Sequence, residues 1–144
     1  LHDKLAALGG RMIVDALRRM RQGPVDAVPQ PEQGVTYAAK ILKEEAALDF
    51  TRPRVELDRK IRAFNPSPGA YAQANGVTLK LWGAKVVEGA GEPGTVLKAD
   101  PKDGIEVACG AGALRILELQ KPGGKRLPAA QFLNSFPLAG QRFS

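Results

Sequence analysis

The chain has 144 residues, enough for one ordinary domain with some excess. Its 44% apolar content supports a packed core and excludes wholesale disorder. A net charge of +6 points to an anionic partner, either nucleic acid or a phosphate-bearing ligand.

His2 is the only histidine and Cys109 the only cysteine. A structural zinc site needs about four Cys or His ligands, so no metal site is expected, and no disulfide can form within the chain. A lone cysteine fits the reducing cytoplasm, which is the expected location. No apolar run approaches the ~18 residues of a membrane span, so no membrane partner is expected, and neither is a signal peptide.

In chain order, residues 1–22 read as an amphipathic helix. Leu5, Leu8, Met12, Ile13, Ala16, Leu17 and Met20 recur at three- and four-residue spacing and make one apolar face. The chain opens on Leu, and a proline-rich stretch follows this helix at once. The helix is therefore expected to be the last of a domain lying upstream, on which its face packs. Residues 23–34 hold three prolines and two glycines without periodicity, the pattern of an extended, semi-stiff linker. Residues 35–144 are expected to form the principal domain, opening with a short helical turn over Leu42–Ala47.

Thr51 is placed to cap a helix that begins near Arg52-Pro53. Leu57, Ile61 and Phe64 sit at i, i+4 and i+7 and form its buried stripe, which Val55 is expected to extend. Between Arg52 and Arg62 five cations face two anions. Such a run is most often a solvated helix face. The helix stops at Asn65-Pro66 and turns through Ser67-Pro68-Gly69, where two prolines and a glycine restrict the backbone to one path. That corner is expected to be rigid.

After the corner the period changes to two. Ala70–Ala74 and Val77–Val87 flank Asn75-Gly76, a strong two-residue hairpin signal, and Gly83 predicts a bulge. Three more strands are predicted at Thr95–Ala99, Ile105–Cys109 and Ala113–Leu119. Lys121–Arg126 reads as a basic, flexible loop. Pro128–Asn134 reads as a short helix, with Leu127, Phe132 and Leu133 packing inward. Five strands with few helices predict a mainly β fold with α: a small OB-like β-barrel preceded by helices and an extended linker.

No catalytic constellation is visible. Nucleophilic schemes need a base in reach, most often His, and His2 stands at the start of the first helix. Cys109 lies among apolar and small residues and reads as a packed, inert thiol. The string Gly89–Gly94 matches G-x-G-x-x-G literally, but a strand follows where a phosphate site needs a helix N-terminus, so it is a loop. What remains is cations near aromatics. Lys80, Trp82 and Lys85 share a strand, and Lys121, Lys125 and Arg126 share a loop. Aromatic content is only 6%, and Trp82 or Tyr71 either stacks a base or packs at the helix–barrel seam. Broad phosphate contact fits better than base reading.

The segments LHDKLAALG, TYAAKILKEEAALDF, ELDRKIRAFNPSPGA, LKLWGAKV, PGTVL, DGIEVACGAGALRILELQ and GKR…AAQFLN, in this order, closely resemble the methionyl-tRNA formyltransferase family. The likeness runs over essentially the whole chain. The RAFNPxPGA corner and the DGIxVACGxGALRLLELQ-like strand pair are its specific marks. One departure is Ser67, where the family often has an aromatic.

The resemblance implies a transferase that moves a formyl group from 10-formyltetrahydrofolate, its substrate, to methionine on initiator tRNA. The chemistry belongs to a Rossmann-like N-terminal domain whose segments have no counterpart here. No catalytic residue carries over, no cofactor is expected on this chain, and the chain alone is expected to be inactive. The expected partners are initiator tRNA and the N-terminal catalytic domain, with the protein a monomer. By motif position, Lys40 and Lys43 fall on the family's basic linker. Arg59 and Arg62 fall on the basic helix before the corner, with Lys60 between them. Lys125 and Arg126 fall on the GK(R/K) loop, while Lys80 and Lys85 flank the matching Trp82. Two other readings stay open: an accessory domain of a sugar-nucleotide formyltransferase, and a stand-alone oligonucleotide-binding module.

Overall fold

The computed structural model describes residues 1–144. They form two compact units, Leu1–Ala39 and Lys40–Ser144. In the first, helix α1 spans His2–Gln22, with Arg19 and Arg21 in its last turn where the helix dipole favours cations. Its apolar side chains, Leu5, Leu8, Met12, Ile13, Leu17 and Met20, are exposed. No helix of the chain is long and apolar enough to cross a membrane.

The second unit opens with a 3₁₀ turn, Lys43–Ala46. Helix α2 spans Arg54–Ala63 and buries Leu57 and Ile61 completely. Each such burial stabilises by about 1.5–3 kcal/mol. Two expectations for this helix are corrected. Thr51 does not cap it, because Pro53 is the N-cap residue and the Thr51 hydroxyl instead donates to Asp49 Oδ1 at 2.6 Å. That bond and the Thr51 N–H hold the Asp49 carboxyl below its ordinary range. Val55 does not extend the buried stripe and is 42% exposed. At ~100° per residue it lies about 160° round the helix from Leu57.

The strands are β1 (Tyr71–Ala74), β2 (Val77–Val87), β3 (Val96–Asp100), β4 (Gly104–Ala108), β5 (Ala113–Gln120) and a two-residue β6 (Leu127–Pro128), one more than the sequence indicates. They make one curled antiparallel sheet in the order β1-β2-β5-β4-β3, with β6 paired to β5. Asn75 and Gly76 turn the β1–β2 hairpin with φ of 52° and 71°, the left-handed pair that such a turn requires. The β2–β5 register shifts on either side of Gly83, as a bulge there demands.

The last residues close the curl. Ala74 of β1 pairs with Phe143, and Thr95, just before β3, pairs with Arg142, so one short segment bridges both edges of the sheet. Gln73 and Ser144 exchange backbone hydrogen bonds of 2.7 and 3.0 Å, and the Val96 N–H donates to Gln141 O at 3.0 Å. The core inside includes Leu57, Ile61, Leu79, Leu81, Ile105, Leu114, Ile116, Leu119, Phe132 and Phe143. Phe132 comes from α3, Ala129–Leu133, the short helix expected after the basic loop, and Leu127 and Leu133 are partly buried against this core. Gly89–Gly94 is loop, and its Glu92 carboxylate accepts from Arg142.

Candidate nucleic-acid interface

Trp82 is the centre of the cationic region. It stands at the β2 bulge and is only 7% exposed. Its backbone carbonyl accepts from Asn65 Nδ2 at 2.9 Å, which fastens the corner after α2 to the strand. Gly69, in that corner, has φ of 87° and lies against the ring. A Cβ at Gly69 would come within 2.8 Å of the indole Cη2, so only glycine satisfies both the backbone and the contact. The Gly69 N–H closes the turn on Phe64 O at 2.9 Å. Both X–Pro bonds of the corner, Asn65-Pro66 and Ser67-Pro68, are cis.

Two cations share this ring. The Arg126 guanidinium stacks on it with Cζ 3.4 Å from the ring centroid, and Lys80 Nζ lies 5.4 Å from it. Lys80 also donates to Pro68 O at 3.0 Å. The Trp82 Nε1–H donates to Gln120 Oε1 at 2.9 Å, and Gln120 Nε2 donates to Gly124 O at 2.7 Å. Beside these groups is an open groove of ≈ 600 Å³. Lys43, Lys80 and Lys121 line it, together with Tyr71, Pro68 and Ser67. Ser67 leaves the wall small where a ring would fill it.

The candidate cations thus divide. Lys43 and Lys80 meet in the groove, and Arg126 joins Lys80 at the Trp82 ring. Lys125 is exposed next to Arg126 in the loop. Arg59 is exposed on α2 without an ion-pair or hydrogen-bonded partner, whereas Arg62 Nε donates to Asp58 at 3.0 Å. Lys60 is half-buried and donates to Ala47 O at 2.6 Å, so its ammonium also ties α2 to the segment after the 3₁₀ turn. Lys85 is exposed farther along β2, opposite Arg115, and Lys40 is exposed at the start of the unit.

Gln120 was not singled out in the sequence, and Lys121, grouped there with Lys125 and Arg126 in the basic loop, was not among the residues that the resemblance places on the interface. Lys121 lines the groove, 5.5 Å and 4.9 Å from the Phe132 and Phe136 ring centroids, and donates to Ser135 O at 3.1 Å. The register Lys80↔Gln120 is the signal that relates the loop to β2, and it emerges only once β2 and β5 are paired. Arg54, one of the five cations between Arg52 and Arg62 that read as a solvated face, turns inward: it donates to Val87 O and to Glu88, both at 2.7 Å. Cys109 is buried, and burial pushes its thiol up to about 11, so it is a packed group. No cluster of His, Cys, Asp or Glu is arranged to hold a metal.

Residues 40–137 match the formyl transferase C-terminal domain. The chain belongs to that family. It is 61% identical over 145 residues to the methionyl-tRNA formyltransferase of Janthinobacterium sp. (strain Marseille), covering 99% of this chain and 46% of that protein. The methionyl-tRNA formyltransferase of Herminiimonas arsenicoxydans is 57% identical with the same coverage. The chain thus spans about half the length of the curated relatives it matches. Among solved structures it is similar to HypX from Aquifex aeolicus, with a TM-score of 0.68 and 25% identity over 86% of this chain and 22% of that one. A HypX structure in complex with tetrahydrofolic acid superposes with a TM-score of 0.66, again at 25% identity, over 84% of this chain and 22% of that one. The groove and the Trp82 stack both lie within the residues matched to the formyl transferase C-terminal domain.

Proposed function

We propose that this chain is the tRNA-docking part of a methionyl-tRNA formyltransferase. The observation that carries this is the convergence of Lys43, Lys80 and Arg126 around the groove and the Trp82 ring, in a family member 57–61% identical to methionyl-tRNA formyltransferases. Lysine and arginine meet phosphate through charge and do not require a particular base, so the interface orients an RNA by its backbone. Arg59, Arg62, Lys85, Lys125 and Lys40 extend the cationic footprint, and Lys60 adds charge while it braces α2. The formyl group would come from 10-formyltetrahydrofolate in an N-terminal catalytic domain, with α1 as the last helix of that domain. The setting is the bacterial cytoplasm.

Percent identity to methionyl-tRNA enzymes favours this over an accessory domain for a sugar nucleotide. The two are separated by titrating the full chain with initiator tRNA and with a sugar nucleotide, following Trp82 emission. Saturable binding of tRNA, undisturbed by excess sugar nucleotide, is expected. Saturation by the sugar nucleotide with no response to tRNA would overturn the proposal.

A further inference from the structure

We propose that Trp82 and Gln120 are positioning residues that hold Arg126 as a preset fork for phosphate oxygens, and that Trp82 itself does not stack a nucleobase. This rests on the nucleic-acid reading of the same region. A ring offered to a base has an open face, but Trp82 is 7% exposed and Arg126 covers it at 3.4 Å. Stacking uses the face of a guanidinium and leaves its in-plane N–H donors free. No hydrogen bond or ion pair within the chain uses those donors.

The ring is held from two sides. Gly69 lies against its Cη2 end, and the Gln120 side chain accepts from Nε1 while donating to Gly124 O, two residues before Arg126. Gln120 is thereby a strut between the ring and the loop that carries the fork. A long, mobile side chain is confined before any ligand arrives, so less freedom is lost on binding. Lys80 lies 5.4 Å from the same centroid, and no carboxylate lies within ion-pair distance of Lys80 or Arg126. Two like charges beside one ring are relieved by an anion, and the fork geometry of arginine suits a phosphate with two free oxygens.

The test measures affinity of the full chain for initiator tRNA and for an unrelated RNA duplex across a salt series. Arg126→Ala is expected to weaken both RNAs roughly tenfold at moderate salt and to lower the salt slope by about one. Arg126→Lys should keep the slope and recover only part of the affinity. Gln120→Ala and Trp82→Phe should weaken binding when Arg126 is present and change nothing in the Arg126→Ala background. Thermal transitions of each variant check folding, and Gln120→Ala keeps the test available if a Trp82 substitution disturbs the packing. Equal losses with and without Arg126 would refute the positioning role. Unchanged or tighter binding by Arg126→Ala, as when a base moves onto the uncovered ring, would refute the fork while leaving the tRNA-docking reading intact. Binding of neither RNA by the unaltered chain would remove both.

Discussion

The Phe143 ring lies 5.6 Å from that of Phe50, tilted by 42°, and both are buried in the core. One comes from the stretch leading into α2, and the other from the second-last position of the chain. This contact anchors the segment that joins the two edges of the curled sheet. Phe143→Ala is expected to destabilise the fold by about 3–5 kcal/mol, the range for removing a fully buried aromatic. Chemical denaturation of the full chain measures it, and a loss under ~1 kcal/mol would show that the closure contributes little.

Gly110 receives the α2 approach at close quarters. Its N–H faces Phe50 O at 2.9 Å and Arg52 O at 3.1 Å, and a Cβ there would be 1.8 Å from Thr51 O. The obstacle is backbone, which cannot rotate aside. Gly110→Ala should therefore cost about 1–3 kcal/mol although the residue is exposed. An unchanged thermal midpoint would contradict this.

Much of this was legible in the sequence. The i, i+4 spacing of Leu57 and Ile61 located α2, and Asn75-Gly76 located the first hairpin. The corner was marked by its two prolines and Gly69. The closing segment was not legible, because Gln141–Ser144 pairs only through isolated bridges and carries no alternation to read. Nor was the direction of long side chains. Arg54 and Arg59 are both arginines on one short helix, yet one reaches Glu88, just after β2, and the other is exposed. For the same reason the stack of Arg126 on Trp82, 44 positions apart in the sequence, needed the paired strands to appear.

Cys109 gives the fold a pH signature. Its thiol is pushed from an ordinary 9.0 up to about 11, first of all by burial. Below pH ~9 it is neutral in both folded and unfolded chains and contributes no slope. Between ~9 and ~11 the unfolded chain loses its proton first, so stability falls as pH rises, by at most about 1.4 kcal/mol per pH unit. Cys109→Ala should lack this component. Denaturation of both proteins at pH 8.5 and 10.5 (roughly spanning that window) measures it, and parallel pH dependences would refute the burial argument.

Arg59 and Arg62 should differ as RNA contacts. Arg59 has no acidic partner, whereas Arg62 is bonded to Asp58 at 3.0 Å. Arg59→Ala is expected to lower the salt slope of tRNA binding by about one, and Arg62→Ala by less. Equal effects would mean that the Asp58 pair opens freely on binding. No effect of either would remove α2 from the interface.

The central claim is that a cationic surface docks tRNA through its phosphates. Its most direct test is the affinity of the full chain for initiator tRNA, measured across a series of salt concentrations. Counterion release predicts that log affinity falls linearly with log salt, with a slope of about three or more. An affinity that does not change with salt would contradict the claim.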